Sequence, residues 1–348
     1  MTRVGIIGVG FMGMVHYLSY QKLSGSKVVA ICDSIPARLK GDWTGIQGNF
    51  GPPGEQMDLS GVATYDSVAD LINDPNVDLV DITLPPAMHT DVALQAIQGG
   101  KHVFCEKPMA LNVEDCDRML EAAEANQCKL MIGHVLPFFP EYAWALQEIR
   151  SGKHGGLLGA SFTRVISDPT WLSNFWDANK VGGPMFDLHV HDAHFIRLAF
   201  GMPTAVTTRG SRRNELPEHW HSLFQFADQG VTVQATSGAI PQQGRPFMHG
   251  FEIRMERATL SFGFAVTKTA AGVDEGRYHC PPTLFTADGK AEAVELGDGD
   301  PMNAFKAELE HVTQVVQGIA EPDGLACELA RDAIAICDLE SANLRDHC

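Results

Sequence analysis

Lys107 stands in the triplet Glu106-Lys107-Pro108, directly after the apolar run Lys101–Cys105. An ammonium group at the carboxyl end of a sheet strand points into the crevice where open parallel sheets bind ligands. There it can hold a substrate oxygen and stabilise developing alkoxide charge. Upstream, Gly8-Val9-Gly10-Phe11-Met12-Gly13 is a G-x-G-x-x-G turn between the strand Arg3–Ile7 and a helix-compatible run, and Asp33 lies 20 residues beyond Gly13. Such glycines permit a tight bend and close approach to a pyrophosphate, whose charge then faces the helix N-terminus. Asp33 can accept the adenosine ribose hydroxyls, and its charge repels a 2′-phosphate. NAD is the expected cofactor; Arg38, one turn further, keeps NADP as the less favoured choice. The expected cofactor contacts are Gly8, Gly10, Phe11, Met12, Gly13, Asp33 and Arg38, with Glu106 and Lys107 beside them.

Thr83-Leu84-Pro85 and His89 follow another long apolar strand. This loop is expected to wall the cofactor, with His89 also readable as a cap in a proline-stiffened turn. A third cluster follows Gly182-Gly183-Pro184, where proline suits the first turn of a helix. At about 100° per residue, Asp187, His191, His194 and Leu198 share a stripe about 60° wide. An acid and two imidazoles on one stripe suit proton transfer, because histidine titrates near ~6.5 and a carboxylate can orient its ring. Lys107, Asp187 and His191 are thus the catalytic candidates. Lys107, His134 and His194 are the candidate substrate contacts. His189 and Asp192 fall off the stripe and are expected to be structural or to lie on the helix's other face. The His189/His191 spacing puts two rings on opposite sides of a helix, so no metal site is expected.

These residues need a sheet to carry them. Strands Arg3–Ile7, Lys27–Cys32, Val62–Tyr65, Val77–Thr83, Lys101–Cys105 and Lys129–Gly133 alternate with helical segments, which implies a doubly wound parallel sheet. Asp66 and Asn112 are read as helix N-caps. Gly41–Gly61 is rich in glycine and proline and is expected to be a surface loop of no assigned role. Beyond His134 the chain turns to β-rich pieces: 158–166, 205–210, 219–226, 231–237, 251–256 and 259–264. Helices at 141–151 and 184–200, and a final pair at 302–318 and 325–344, accompany them. The fold class is therefore α/β: an N-terminal Rossmann domain (1–133) and a C-terminal α+β domain (134–348) with an open-faced, mostly antiparallel sheet.

With 348 residues and a formal charge of −17, the chain is a poor candidate for nucleic acid or an anionic membrane surface. No stretch approaches the ~18 apolar residues of a membrane span. Eight cysteines without a C-x-x-C pair fit a reducing cytoplasm.

Gly8–Gly13, Thr83-Leu84-Pro85 with His89, Gly100–Pro108, and Gly182-Gly183 through Asp187 and His191 together resemble the Gfo/Idh/MocA oxidoreductases, over essentially the whole chain. The resemblance implies that Lys107, Asp187 and His191 are the catalytic set. It also implies a sugar or cyclitol substrate, and a homodimer or homotetramer built through the open sheet face. The chain departs from the pattern at His189, where relatives carry glycine. It departs again at His194, where aspartate is frequent, and at Pro137, where many have arginine. The expected activity is hydride transfer between NAD(P) and a secondary hydroxyl or ketone. The alternatives are an NAD-dependent glycoside hydrolase and a non-catalytic NAD-binding regulator.

Overall fold

The computed structural model describes every residue except 171, 229, 298 and 346–348. By contacts the chain divides into two compact units, Met1–Phe139 with Asp300–Arg331, and Pro140–Gly299 with the residues from Asp332 onward. The expectation of one boundary after Gly133 thus meets a chain that returns to its first unit near the end.

In the first unit, β1 (Thr2–Ile7), α1 (Phe11–Tyr20), β2 (Ser26–Cys32), α2 (Pro36–Leu39), β3 (Ala63–Tyr65) and α3 (Val68–Asn73) form one half. β4 (Leu79–Ile82), α4 (His89–Gln98), β5 (His102–Glu106), α5 (Val113–Ala125) and β6 (Leu130–Gly133) form the other. All six strands are parallel, in the order β3-β2-β1-β4-β5-β6. The order reverses beside β1, so ligand-binding loops gather at the carboxyl ends of β1 and β4. β4 and β6 are buried at every position, as a sheet covered on both faces requires. The Asn112 side chain accepts the Asp115 N–H at 2.8 Å and caps α5. For α3 the cap is Ser67 rather than the expected Asp66.

The second unit contains α6 (Pro140–Ser151), β7 (Leu157–Ser167), a π-helical turn (Met185–His189) and α7 (Val190–Phe200). Strands β8 (Ala205–Arg213), β9 (Leu216–Gln225), β10 (Thr232–Ile240), β11 (Phe247–Met255), β12 (Ala258–Lys268), β13 (Asp274–Thr286) and β14 (Ala291–Ala293) follow. They form one eight-stranded sheet, β14-β13-β12-β11-β7-β10-β9-β8, antiparallel except where β10 runs parallel to β7. β13 and β14 were not foreseen; most of β13 is exposed and lacks an apolar face to reveal it.

After this sheet come α8 (Pro301–Val316) and α9 (Cys327–Arg345). α8 sets Leu309, Val312 and Val315 against Met14, Tyr17 and Tyr20 of α1 in the core of the first unit. The core of the second unit is aromatic. Tyr142 meets Phe195 and Phe251 edge-on, with ring centroids 5.0 and 5.2 Å apart, and Phe162 meets Phe195 likewise. Each such pair adds about 0.5–1.5 kcal/mol beyond area burial.

Candidate active site

At the β1–α1 turn, a Cβ on Gly13 would lie 2.1 Å from the Gly8 carbonyl oxygen, so only glycine lets the helix start there. Gly10 is the N-cap of α1, with no side-chain cap, no acid in the first turn and open space where a Cβ would be. Unpaired N–H groups at an uncapped helix start, with room in front of them, fit a dinucleotide pyrophosphate. The Asp33 carboxylate accepts the Val9 N–H at 2.8 Å on Oδ2 and the Ile35 N–H at 2.8 Å on Oδ1. It is thereby fixed beside the turn. Arg38 places Nη1 3.1 Å from Asp33 Oδ2, so its charge is already paired with a carboxylate. The Thr83 hydroxyl donates to Gly8 O at 2.6 Å and ties the β4 loop to the turn.

The segment 41–61 is more than the surface loop expected. Trp43 is fully buried and donates its indole N–H to Arg38 O at 2.9 Å. Phe50 meets Phe11 edge-on at 4.8 Å and stacks on Phe305 of α8 at 5.2 Å. The segment therefore pins Phe11, inside the glycine turn, from outside the sheet.

His89, at the start of α4, is fully buried with Nδ1 2.8 Å from Pro108 O and Nε2 2.8 Å from Leu84 O. It binds the β4 loop to the loop after β5. Burial pushes its pKa down, against the two carbonyl partners, and a neutral ring can donate to only one of them. Glu106 closes β5, and its Oε2 accepts the Lys107 N–H at 3.1 Å. Its Oε1 lies 3.1 Å from His16 Nε2, and His16 Nδ1 lies 2.9 Å from Asp81 Oδ2. Burial opposes charge on His16, but Asp81 and then Glu106 outweigh it and lift its pKa to about 10. The ring is therefore an imidazolium at neutral pH. His134, after β6, is fully buried, with its backbone N–H on Ile132 O at 2.7 Å.

In the second unit the expected helix 184–200 begins with the π turn Met185–His189 before α7 continues as an α-helix. The wider turn changes the uniform 100° step across Met185–His189. Asp187 and His191 are half-buried, whereas His194 is fully buried.

The off-stripe residues anchor this helix, as expected. His189 is fully buried, with Nδ1 2.7 Å from Ser237 Oγ on β10 and Nε2 2.7 Å from Glu340 Oε2 on α9. Burial works against its charge, but Glu340 wins and raises its pKa. Asp192 pairs in bidentate fashion with Arg164 of β7, at 2.8 and 3.0 Å, and Arg164 also donates to the Tyr142 hydroxyl at 3.1 Å. Lys107 thus belongs to the first unit, and Asp187, His191 and His194 to the second. Sequence reading missed His16, Asp81, Arg164 and Glu340. The signal for Asp81 was a charge inside the otherwise apolar run Leu79–Ile82.

Among the described residues, no group of three or more His, Cys, Asp or Glu side chains is placed to hold a metal ion, and no helix is long and apolar enough to cross a membrane.

The oxidoreductase family with an NAD-binding Rossmann fold matches residues 2–134, and the GFO/IDH/MocA C-terminal domain matches residues 142–261. The rhizopine catabolism protein MocA of Rhizobium meliloti is 29% identical, over 98% of this chain and 93% of its own length. The inositol 2-dehydrogenase/D-chiro-inositol 3-dehydrogenase of Lactiplantibacillus plantarum is 30% identical over 44% of this chain; the match spans 41% of that enzyme. Among solved structures, aldose-aldose oxidoreductase from Caulobacter crescentus superposes with a TM-score of 0.78, covering 100% of this chain and 98% of that one at 20% identity. That likeness is one of fold.

Proposed function

The chain belongs to the Gfo/Idh/MocA oxidoreductase family, and from that premise we propose that it is an NAD-dependent dehydrogenase acting on a secondary hydroxyl of a sugar, cyclitol or derivative. One observation carries the reading: the uncapped, open start of α1, the fixed Asp33 carboxylate and Lys107 after β5 all belong to carboxyl-end loops of one sheet. Gly8–Gly13 and Asp33 would hold the pyrophosphate and adenosine ribose, and the Thr83–Pro85 loop would flank them. NAD, when bound, supplies the hydride acceptor.

The chain's own side chains do the rest. Lys107 holds the substrate oxygen and stabilises negative charge as its proton leaves. His191 takes that proton on a ring nitrogen, with Asp187 orienting the ring and favouring its protonated form. His134 and His194 are the further candidate substrate contacts. The names of the relatives, an inositol dehydrogenase and an aldose-aldose oxidoreductase, support a polyol or sugar as substrate class. Seven free cysteines among the described residues, four of them buried, suit a reducing cytoplasm.

A panel of cyclitols, aldoses and polyols tested for NAD⁺ reduction is the direct experiment. Net NADH with one or more of them is the expected result. Release of an aglycone without net NADH would instead identify a glycoside hydrolase. NAD binding with neither reaction across the panel would identify a regulator.

A further inference from the structure

We propose that His16 is a positioning residue for Lys107: its ring clamps Asp81 to Glu106, and the Glu106 carboxylate in turn fixes the backbone from which Lys107 projects. The inference rests on the proposed role of Lys107. The groups form a continuous chain, from Asp81 Oδ2 to His16 Nδ1 at 2.9 Å, from His16 Nε2 to Glu106 Oε1 at 3.1 Å, and from Glu106 Oε2 to the Lys107 N–H at 3.1 Å. Asp81 comes from β4, His16 from the helix that starts at the glycine turn, and Glu106 from the end of β5. Three elements that frame the cofactor site are thus joined at one imidazole.

Burial makes the arrangement costly as a mere core. His16 and Asp81 are fully buried and Glu106 nearly so, between the rings of Phe104 and Phe305 at 5.6 and 6.3 Å from His16. Apolar residues of similar volume would fill this space at equal or better stability. What they would lack is a fixed geometry, because only the two-sided imidazolium dictates where both carboxylates point. Glu106 has both oxygens committed, one to His16 and one to Lys107, so it transmits any displacement between them. Two further groups face the cluster. The Tyr20 hydroxyl lies against Asp81, and burial, then the neighbouring Glu106, push the Glu308 carboxyl well above its usual pKa. His16 is the cation held between Asp81 and Glu106, and removing it leaves both buried carboxylates without that partner.

Two measurements test the clamp, and the first needs no substrate. In His16→Gln, hydrogen exchange at the Lys107 amide, read by mass spectrometry on the segment Phe104–Met109, is expected to accelerate by about tenfold or more as its acceptor loosens. Unchanged protection of that amide overturns the proposal. NAD affinity should stay within about threefold, because Asp33 and Thr83 hold the glycine turn independently of His16.

The second is a cycle on turnover, with a polyol that reduces NAD⁺ in the panel. His16→Gln is expected to lower kcat by about 10- to 100-fold with little change in KM. In a Lys107→Met background the same substitution should cost less than about threefold, since the group it positions is gone. Equal fold-losses in both backgrounds overturn the proposal. Should His16→Gln not fold, Glu106→Gln, which keeps shape but loses charge, takes its place, and wild-type kcat and amide protection in that variant also overturn it. Wild-type turnover in Lys107→Met alone would sink the reading of the active site, while the exchange result would still judge the clamp.

Discussion

Replacing either partner of the buried His189–Glu340 pair should destabilise the second unit by very different amounts, and the difference should depend on pH. Both side chains are fully excluded from solvent, and their closest atoms are 2.7 Å apart. In His189→Gly the Glu340 carboxylate is left buried with no cation. Losing one partner of such a pair costs about 3–5 kcal/mol. In Glu340→Gln the imidazole loses its counter-ion, turns neutral and keeps a neutral hydrogen bond. A bond to a charged group worth about 1.5–3 kcal/mol then becomes one worth about 0.5–1.5, a loss of about 1–2 kcal/mol. The sign of the pH dependence follows from the raised pKa of His189. At pH below ~6.5 the ring is charged in both folded and unfolded chains, and the pair contributes in full. As pH rises through the raised folded value that contribution is lost, so wild type and Glu340→Gln should converge at alkaline pH. Urea unfolding followed by tryptophan emission, to which Trp220 contributes with its ring 5.5 Å from His189, reads the losses. Equal losses in the two variants, or a gap that does not change with pH, would refute the ion-pair account.

Asp33→Ser should narrow the preference for NAD over NADP in isothermal titration, and tighter NADP binding by the unmodified protein would turn attention to Arg38. Lys107→Met should reduce turnover by about 10²–10³ with NAD affinity kept, the scale of a lost oxyanion donor. His191→Asn should lose about 10²–10⁴, and wild-type turnover in it with an inactive His194→Asn would move the base along the helix. Leu158, Leu223 and Phe285 are exposed large apolar side chains of the eight-stranded sheet, so light scattering at micromolar concentration should report a dimer or tetramer. A monomeric mass counts against an interface there.

The first sheet was readable because every strand is short, apolar and followed by turn chemistry, and because Gly13 and Asp33 act through local spacing. Local signals were close: Asn112 caps α5 as read, while at α3 the cap is Ser67, one residue past the expected Asp66. The reading was incomplete where the backbone departs from a single helical pitch. The stripe through Asp187 and His191 assumed one helical pitch, but the π turn Met185–His189 changes it. No composition rule marks a π turn, since it arises from the contacts that hold it. Here these include the Cys337 thiol 3.8 Å from Met185 O as well as the two bonds of His189. β13 was missed for the opposite reason, as its polar residues carry no alternation to read.

His16 and His189 show why the supports of a site are harder to read than the site itself. Each lies in a helix, and each draws its charge from carboxylates that sequence places far away: Asp81 and Glu106 for one, Glu340 for the other. A histidine in an apolar helix is ordinarily expected to be neutral, because burial alone favours the uncharged ring. Only the fold reveals that a carboxylate partner outweighs burial. The reverse holds for His89, which resembles them in sequence but has carbonyl oxygens as partners, and there burial prevails. One residue type in three buried settings thus has its pKa shifted in two directions. The partner decides the outcome: a carboxylate carries a full charge into the low-dielectric interior, whereas a carbonyl offers only a dipole. By the same reasoning, substitutions that neutralise a carboxylate partner should change the protonation of His16 or His189, whereas reshaping the loops around His89 should leave its ring neutral.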